Sequence, residues 1–484
     1  MDLINVSVSK NILKRVDENT WEIPQDFRLD MRVPGRIFAS EKILDDILRD
    51  ESLEQVVNVA TLPGIVGYSL AMPDIHAGYG FPIGGVAAVD TEKGAISPGG
   101  IGFDINCGIR MLRTGVHFDE IKDVIPKLTE ALYHEVPSGV GRGGELKLSI
   151  KDLDKVLERG VEQMIEWGYA TEEDRKHCES NGRLEGADPS KVSDRAKKRG
   201  RDQVGTLGAG NHFVEVQRVD KIFDSEAAEK LGLKDGEVVI MIHCGSRGLG
   251  HQVATDYIQK MLNSMPKYKI ELPDRQLACA PFKSPEGQDY FKAMSAAANF
   301  AWANRQLITH QVRRVWDEIF GSPASRELKL IYDVAHNLAK VEEYNGRKVV
   351  VHRKGATRAF PPGHPETPDL YKDIGQPVLI PGSMGTASYV LVGQPGAMEK
   401  SFGSSCHGAG RVMSRTKAKK MVRGAELKEE LEGRGISIAA GSIAGLAEEA
   451  PLAYKDVEEV VRVVDEVGLA KRVARLRPVG VVKG

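Results

Sequence analysis

The chain has 484 residues, 41% hydrophobic and 28% charged, with 66 basic against 68 acidic side chains and a net charge of -2. This is the composition of a globular protein with a sizeable core, and it excludes a disordered chain. The balanced charge excludes a uniformly basic nucleic-acid-binding body but leaves room for a local basic patch. No apolar run approaches the roughly 18 residues of a membrane span. The start, MDLIN, runs into mixed polar sequence without a signal-peptide core, so a cytoplasmic protein without membrane association is expected. Five scattered cysteines (Cys107, Cys178, Cys244, Cys279 and Cys406) read as free thiols or ligands, not as a disulfide framework.

Glycine is the conspicuous count: 51 residues, against roughly 34 at ordinary usage of about 7%. In chain order, glycine clusters at 78–85 and 99–108 flank a strand-like run at Val86–Val89. The periodicity then predicts helices over about 119–133 and 150–168, within and beside a polar stretch, 139–201, whose basic end reads as a helical excursion. A third cluster, 205–210, opens a strand from Phe213; a fourth, 245–250, closes the apolar run Val238–Ile242. A long helix is predicted over 288–320, followed by glycine clusters at 382–385 and 403–410. Glycine at strand ends permits close backbone approach to a ligand, as well as ordinary turns. With no Pro/Ser-rich linker, repeat or low-complexity tract, the expectation is a single α+β domain over 1–484. Mixed and antiparallel sheets would surround a central cleft, with helices outside and helical insertions.

Histidines lie in or beside these clusters. Asp104 and Cys107 stand three residues apart, and His212, His243, His336 and His407 fall at or near strand ends. A thiolate, a carboxylate and three or four imidazoles suffice for one or two divalent metals, while the wide spacing excludes a zinc finger. The dipeptide Gly-Lys is absent, which removes a phosphate loop, and so is Lys-x-Asp-Gly, the nucleophile of lysine-dependent ligases. Nucleotidyl chemistry here would need another nucleophile, and histidine is available for it.

Several longer motifs carry a resemblance. MPDIHAGYGFPIGG (72–85), GFDINCG (102–108), GTLGAGNHFVE (205–215), HCGSRGLGH (243–251), DVAHNLAK (333–340), VHRKGATR (351–358), PGSMG (381–385), CHGAGR (406–411) and PVGVVKG (478–484) resemble, in order, the RtcB family of RNA-splicing ligases. The length and the 139–201 stretch resemble its longer archaeal and eukaryotic-like members. The resemblance implies GTP- and Mn²⁺-dependent joining of RNA ends bearing a 2′,3′-cyclic phosphate or 3′-phosphate to 5′-hydroxyl ends, as in joining tRNA halves or repairing RNA. An archease-type activator is implied as a partner. GMP would pass through His407; two Mn²⁺ would be held by Asp104, Cys107, His212, His243 and His336, with Cys107 bridging. The guanylate would contact Asn211, His212, Phe213, Val214, Glu215, His336, Asn337, Pro381, Gly382, Ser383, Met384, Ser388, His407, Gly408, Ala409, Gly410, Tyr454 and Lys483.

Chemistry agrees with these roles. Neutral imidazole is a competent nucleophile whose phosphoramidate passes its nucleotidyl group onward. Glu215 suits the guanine N1 and N2 donors, and the 381–385 loop offers backbone N–H groups to a phosphate or purine edge. By softness alone the donor set favours Zn²⁺, so Mn²⁺ rests on the resemblance. Arg247, Arg353 and Arg411 are candidate RNA-phosphate contacts, and Arg415, Lys417, Lys419, Lys420 and Arg423 extend Arg411 into a local basic stripe. Asp74 and His76 stay open between roles at the metals and at RNA; Cys178, Cys244 and Cys279 receive no role. A dinuclear metal phosphodiesterase acting on RNA ends and an RNA-binding protein with a structural metal remain alternatives.

Overall fold

The computed structural model describes residues 7–139 and 141–484, without the side chains of Ser325 and Arg326; residues 1–5, read above for a targeting signal, lie outside the described residues. Two large sheets organise the chain. One runs Lys14–Asp17, Thr20–Ile23, Gly35–Phe38, Ile65–His76, Ile83–Asp90, Arg347–Lys354, Asn337–Tyr344, antiparallel except where Gly35–Phe38 meets Ile65–His76. The other runs Lys329–Ala335, Gly108–His117, Glu237–Cys244, Phe213–Ile222, Ala470–Lys483, Ser388–Gly393, Pro377–Ile380, with Ser437–Ala440 added in parallel to Ala470–Lys483. The mixed, mainly antiparallel architecture is the expected α+β class.

The strand Glu237–Cys244 is buried along its whole length because both faces carry apolar residues. Val238, Ile240 and Ile242 enter the main core, while Val239 and Met241 enter a second core on the opposite face. This follows the two-residue period of a strand. His243 and Cys244 therefore sit at the end of a rigid, doubly covered strand. The sheets meet through single residues: the chain leaves Lys329–Ala335, passes through His336, and enters Asn337–Tyr344 of the other sheet. The central histidine candidate stands on that seam.

Helix positions agree with the apolar periodicity, with two differences. The long helix, Pro285–Phe320, is interior: residues from Ala293 to Leu307 are buried without interruption, including the polar Asn299, Asn304, Arg305 and Gln306. A helix with apolar residues all round is a core helix. Its cover is the 139–201 stretch. The helices Ile150–Arg159 and Val161–Glu166 pack on it and bury Leu153, Val156, Leu157, Val161 and Met164, so the stretch is helical but is part of the main core. Its polar composition comes chiefly from the outward faces, although Gln163, Asp174, Glu179 and Lys197 are buried. Among the described residues no helix is long and apolar enough to cross a membrane.

Candidate active site and metal centre

The strand ends converge on a cavity of about 680 Å³ at the seam between the sheets. Asp104 and Cys107 come from the loop before Gly108–His117, His212 from the residue before Phe213–Ile222, and His243 from the end of Glu237–Cys244. Ladder pairing of His243 with both Ile109 and Phe213 fixes these three segments side by side. The Cys107 N–H donates to Asp104 O at 2.9 Å, and Asn106, between them, takes a left-handed φ of 52°. The buried Arg305 holds that turn, donating to Asn106 O at 2.7 Å, Asn106 Oδ1 at 3.0 Å and Cys244 O at 2.9 Å.

The donors fall into two groups that share one atom. Cys107, His243 and His336 form one; Asp104, Cys107 and His212 form the other, the ligand atoms of each lying within 4.8 Å. Cys107 Sγ lies 3.2 Å from His243 Nε2 and 3.4 Å from His212 Nε2; His243 Nε2 lies 3.3 Å from His336 Nε2, and His212 Nε2 lies 2.9 Å from Asp104 Oδ2. Burial pushes His243 and His336 well below the ordinary imidazole range, so both are neutral lone-pair donors. Burial also works against charge on His212, but the neighbouring sulfurs and Asp104 outweigh it and raise its pKa. Burial, reinforced by the Asp104 charge, pushes the Cys107 thiol up to about 12. These are the shifts of donors facing one another across protons, and a divalent cation inverts them by taking the place of those protons. Two neutral imidazoles and a sulfur aimed at one point fit a divalent ion, and the shared sulfur fits two.

Glycine serves this approach at two places. A Cβ on Gly245 would collide with the Asp104 carboxylate, which instead accepts from Ser246 N at 2.9 Å. Gly410, at φ 77°, lies so close to the Asp74 carbonyl that no side chain fits.

His407 follows the short strand Ser404–Cys406. Its Nδ1 lies 2.6 Å from Asp74 Oδ2, which also accepts from His407 N at 3.0 Å and Gly408 N at 3.2 Å. Asp74 is fully buried, a setting that raises a carboxyl pKa, yet His407 brings it below the ordinary value. The carboxylate thus holds the Nδ1 side of the ring. Nε2 is left free of that contact, on a ring that lines the cavity and sits 4.8 Å, centroid to centroid, from His336. The hydrogen bond places Asp74 directly behind the His407 ring, a position the sequence had left open. His76 lines the same cavity, its Nδ1 3.0 Å from Asp74 O, with its pKa driven down to about 4 chiefly by burial.

Most of the residues expected at the nucleotide line the same cavity. Asn211, Phe213, Glu215, His336, Asn337, Pro381, Gly382, Ser383, Met384, Gly408, Ala409, Gly410, Tyr454 and Lys483 all line the cavity. Burial pushes Glu215 up to about 7, and its Oε2 accepts from Gln217 Nε2 at 2.7 Å. Lys483 is buried and donates to Gly210 O at 2.6 Å. Gln217 lies two residues from Glu215 on the same strand face, so strand periodicity could have revealed it.

Some expected contacts differ. The Val214 side chain belongs to the main core, because strand alternation turns it away from Glu215. Ser388 stands behind the wall, accepting from Gln217 Nε2 at 3.0 Å and Gly382 N at 3.1 Å. The Gly382 and Ser383 amides of the 381–385 loop are therefore engaged internally, the latter with Thr386 Oγ1 at 2.8 Å. Arg353 is not a phosphate contact: it is buried in a two-pronged pair with Glu342, at 2.6 and 2.8 Å, and donates to Ser404 Oγ at 2.8 Å. Arg411 lines the cavity but is tied to Tyr454 OH at 3.1 Å and Glu448 O at 2.8 Å. Arg415 and Lys419, on the helix Arg415–Met421, pair with Glu449 and Glu448, so the stripe is partly neutralised. Arg247 is half-buried, with Nε 3.2 Å from Thr206 Oγ1. Cys244 is a buried thiol 3.8 Å from His212 Nδ1, on the side of the ring away from Cys107.

Comparison with known proteins gives the family. The family model "tRNA-splicing ligase RtcB" matches residues 55–484. A tRNA-splicing ligase RtcB of Thermococcus kodakarensis is 56% identical over 477 residues, covering 98% of this chain and 99% of the relative. Its counterpart from Archaeoglobus fulgidus is 55% identical over 480 residues, with 98% and 99% covered, and that from Aeropyrum pernix 53% over 478, with 97% and 99% covered. With a match over most of its length and such relatives, the chain belongs to the RtcB family of tRNA-splicing ligases.

Proposed function

We propose that the protein is an RNA ligase of tRNA splicing and RNA repair, joining 3′-phosphate or 2′,3′-cyclic phosphate ends to 5′-hydroxyl ends through a histidine–GMP intermediate. The observation that carries this reading is the pairing of His407 with buried Asp74 beside two donor groups that share Cys107. Asp104, Cys107 and His212 would hold one divalent ion and Cys107, His243 and His336 the other; the family points to Mn²⁺. When bound, such ions neutralise phosphate oxygens and orient an in-line displacement.

The protein's own groups supply the remainder. Asp74 accepts from Nδ1–H and so keeps the lone pair on His407 Nε2. That nitrogen attacks the α-phosphorus of GTP, forming an N–P bond as the bond to pyrophosphate breaks. The RNA 3′-phosphate then displaces His407 and takes the GMP; finally the 5′-hydroxyl attacks that 3′-phosphorus and GMP leaves. Glu215, held by Gln217, accepts from guanine N1–H and N2–H, which selects GTP over ATP. Lys483 and Tyr454 close the pocket, and the buried surroundings keep water from the labile phosphoramidate.

Incubation with labelled GTP and Mn²⁺ tests this reading. An acid-labile, alkali-stable protein–GMP adduct is expected, and it is lost in His407→Ala. No adduct with the metals bound favours the metal phosphodiesterase instead.

A further inference from the structure

Beyond the cavity already described lies a second one, of about 650 Å³, which shares two residues with it: Tyr79 and Phe103. Phe103 directly precedes Asp104, so the shared wall adjoins the donor cluster. The Tyr79 and Phe103 rings meet edge-on at 5.3 Å, and His251 stacks on Phe103 at 4.8 Å with planes 25° apart. The far walls carry Lys191, Arg195 and Lys260, from the 189–201 segment and the helix Arg247–Ser264. They face one lining carboxylate, Asp256, whose oxygens already accept from Ser193 Oγ at 2.6 Å and Gln252 Nε2 at 2.7 Å. Lys191 pairs with Asp289 at 2.8 Å, and Lys260 rests over the Tyr257 ring at 4.2 Å. Arg195 and Lys260 are exposed, and neither has a carboxylate partner among the described residues.

Aromatic faces beside unpaired cations, continuous with a cleft where phosphate chemistry occurs, are the two elements of a single-stranded nucleic-acid site. We propose that this groove is a subsite for the single-stranded RNA leading to one of the two ends being joined. Bases stack on Tyr79 and Phe103, and the phosphates beyond them meet Arg195 and Lys260. The overall charge of -2 makes such a local track necessary, and Arg411, Arg415 and Lys419 of the other basic stripe are already paired with Glu448 and Glu449. The inference rests on the ligase reading for which strand it serves, but the groove is tested separately.

The test uses the full-length protein and the double variant R195E/K260E, with R195K/K260R as the conservative control. Ligation is measured with strands of about 4 and about 12 nucleotides, lengthened on the 3′-phosphate side in one arm and on the 5′-hydroxyl side in the other. Binding of a labelled single-stranded 12-mer is followed by anisotropy across salt concentration. The double variant is expected to weaken 12-mer binding about 10-fold and to reduce the log–log salt slope by about 1.4, the value for two lost single-strand phosphate contacts. In one arm KM for the long strand rises by a similar factor, which assigns the end; KM for the short strand, kcat and GMP-adduct formation stay unchanged, and R195K/K260R behaves as wild type. Unchanged 12-mer affinity and salt slope in the double variant overturn the groove proposal, whatever the adduct assay shows. Loss of the adduct in the wild-type protein overturns the ligase reading alone.

Discussion

Two buried polar regions lie back to back in this molecule, and they are built on opposite rules. Behind the donor loop, Asp333 is clamped by Arg110 Nε at 2.7 Å, Arg305 Nε at 2.9 Å and Arg305 Nη2 at 2.7 Å, all of them fully buried. The two guanidiniums share that one carboxylate, and Arg110 Nη1 also donates to Thr309 Oγ1 at 3.2 Å. In front of it, Cys107, His212, His243 and His336 turn their ligand atoms toward one another, and among the described residues no arginine or lysine hydrogen-bonds to these four side chains. A saturated buried network orders the backbone that carries it, whereas converging donors without a cation describe a binding site. Arg305 joins the two regions, since the same guanidinium that holds Asp333 also holds the Asn106 turn.

Breaking the donor cluster has the largest expected effect. Cys107→Ala removes the atom common to both groups. Metal content of the purified protein is expected to fall from two ions to one or none, and ligation to fall by at least about 10³-fold, beyond the 10–100-fold typical of residues behind the ligands. Unchanged metal content in atomic absorption contradicts the shared-sulfur assignment. Asp74→Asn tests the orientation of the nucleophile: it keeps the shape but disturbs the tautomer, and GMP-adduct formation should slow about 10³-fold with metal content preserved. A rate within a factor of three of wild type removes Asp74 from the mechanism.

The saturated region should respond in stability instead. Asp333→Asn leaves two buried guanidiniums short of a counter-charge, and the cost is about 3–5 kcal/mol in denaturant unfolding. A protein that loses ligation but no stability would reverse the contrast between the regions. The smallest effect belongs to Glu215 and the wall proposed for guanine. Burial raises Glu215 to about 7, so the carboxylate that we propose for the guanine donors forms as pH rises. KM for GTP should fall between pH 6 and 8, and Glu215→Gln should flatten that profile and lower GTP-over-ATP selectivity by about 1–3 kcal/mol. The sign for folding is opposite: the unfolded chain ionises first, so the buried Glu215 costs stability as pH rises from 4.5 toward 7.

Much of the site was legible as residues and little of it as geometry. The motifs brought the donor candidates to notice, Asp104, Cys107, His212 and His243 in or beside a glycine cluster and His336 without one, whereas Val214 was grouped with Phe213 and Glu215 until strand alternation separated them. Arg353 misled because a buried arginine reads the same in sequence as a phosphate-binding one; only Glu342, eleven residues away across a hairpin, distinguishes them. The 139–201 stretch misled through its average polarity, although its apolar positions recur at helical spacing and cover the long helix. Arg305 gave no local signal at all, since its partners Asn106, Cys244 and Asp333 are brought to it only by the sheet.

The most direct test is anomalous diffraction from crystals grown with Mn²⁺. Two peaks are predicted, both within bonding distance of Cys107 Sγ, one completed by Asp104 and His212 and the other by His243 and His336. A single peak, or two peaks that do not share Cys107, would contradict the account.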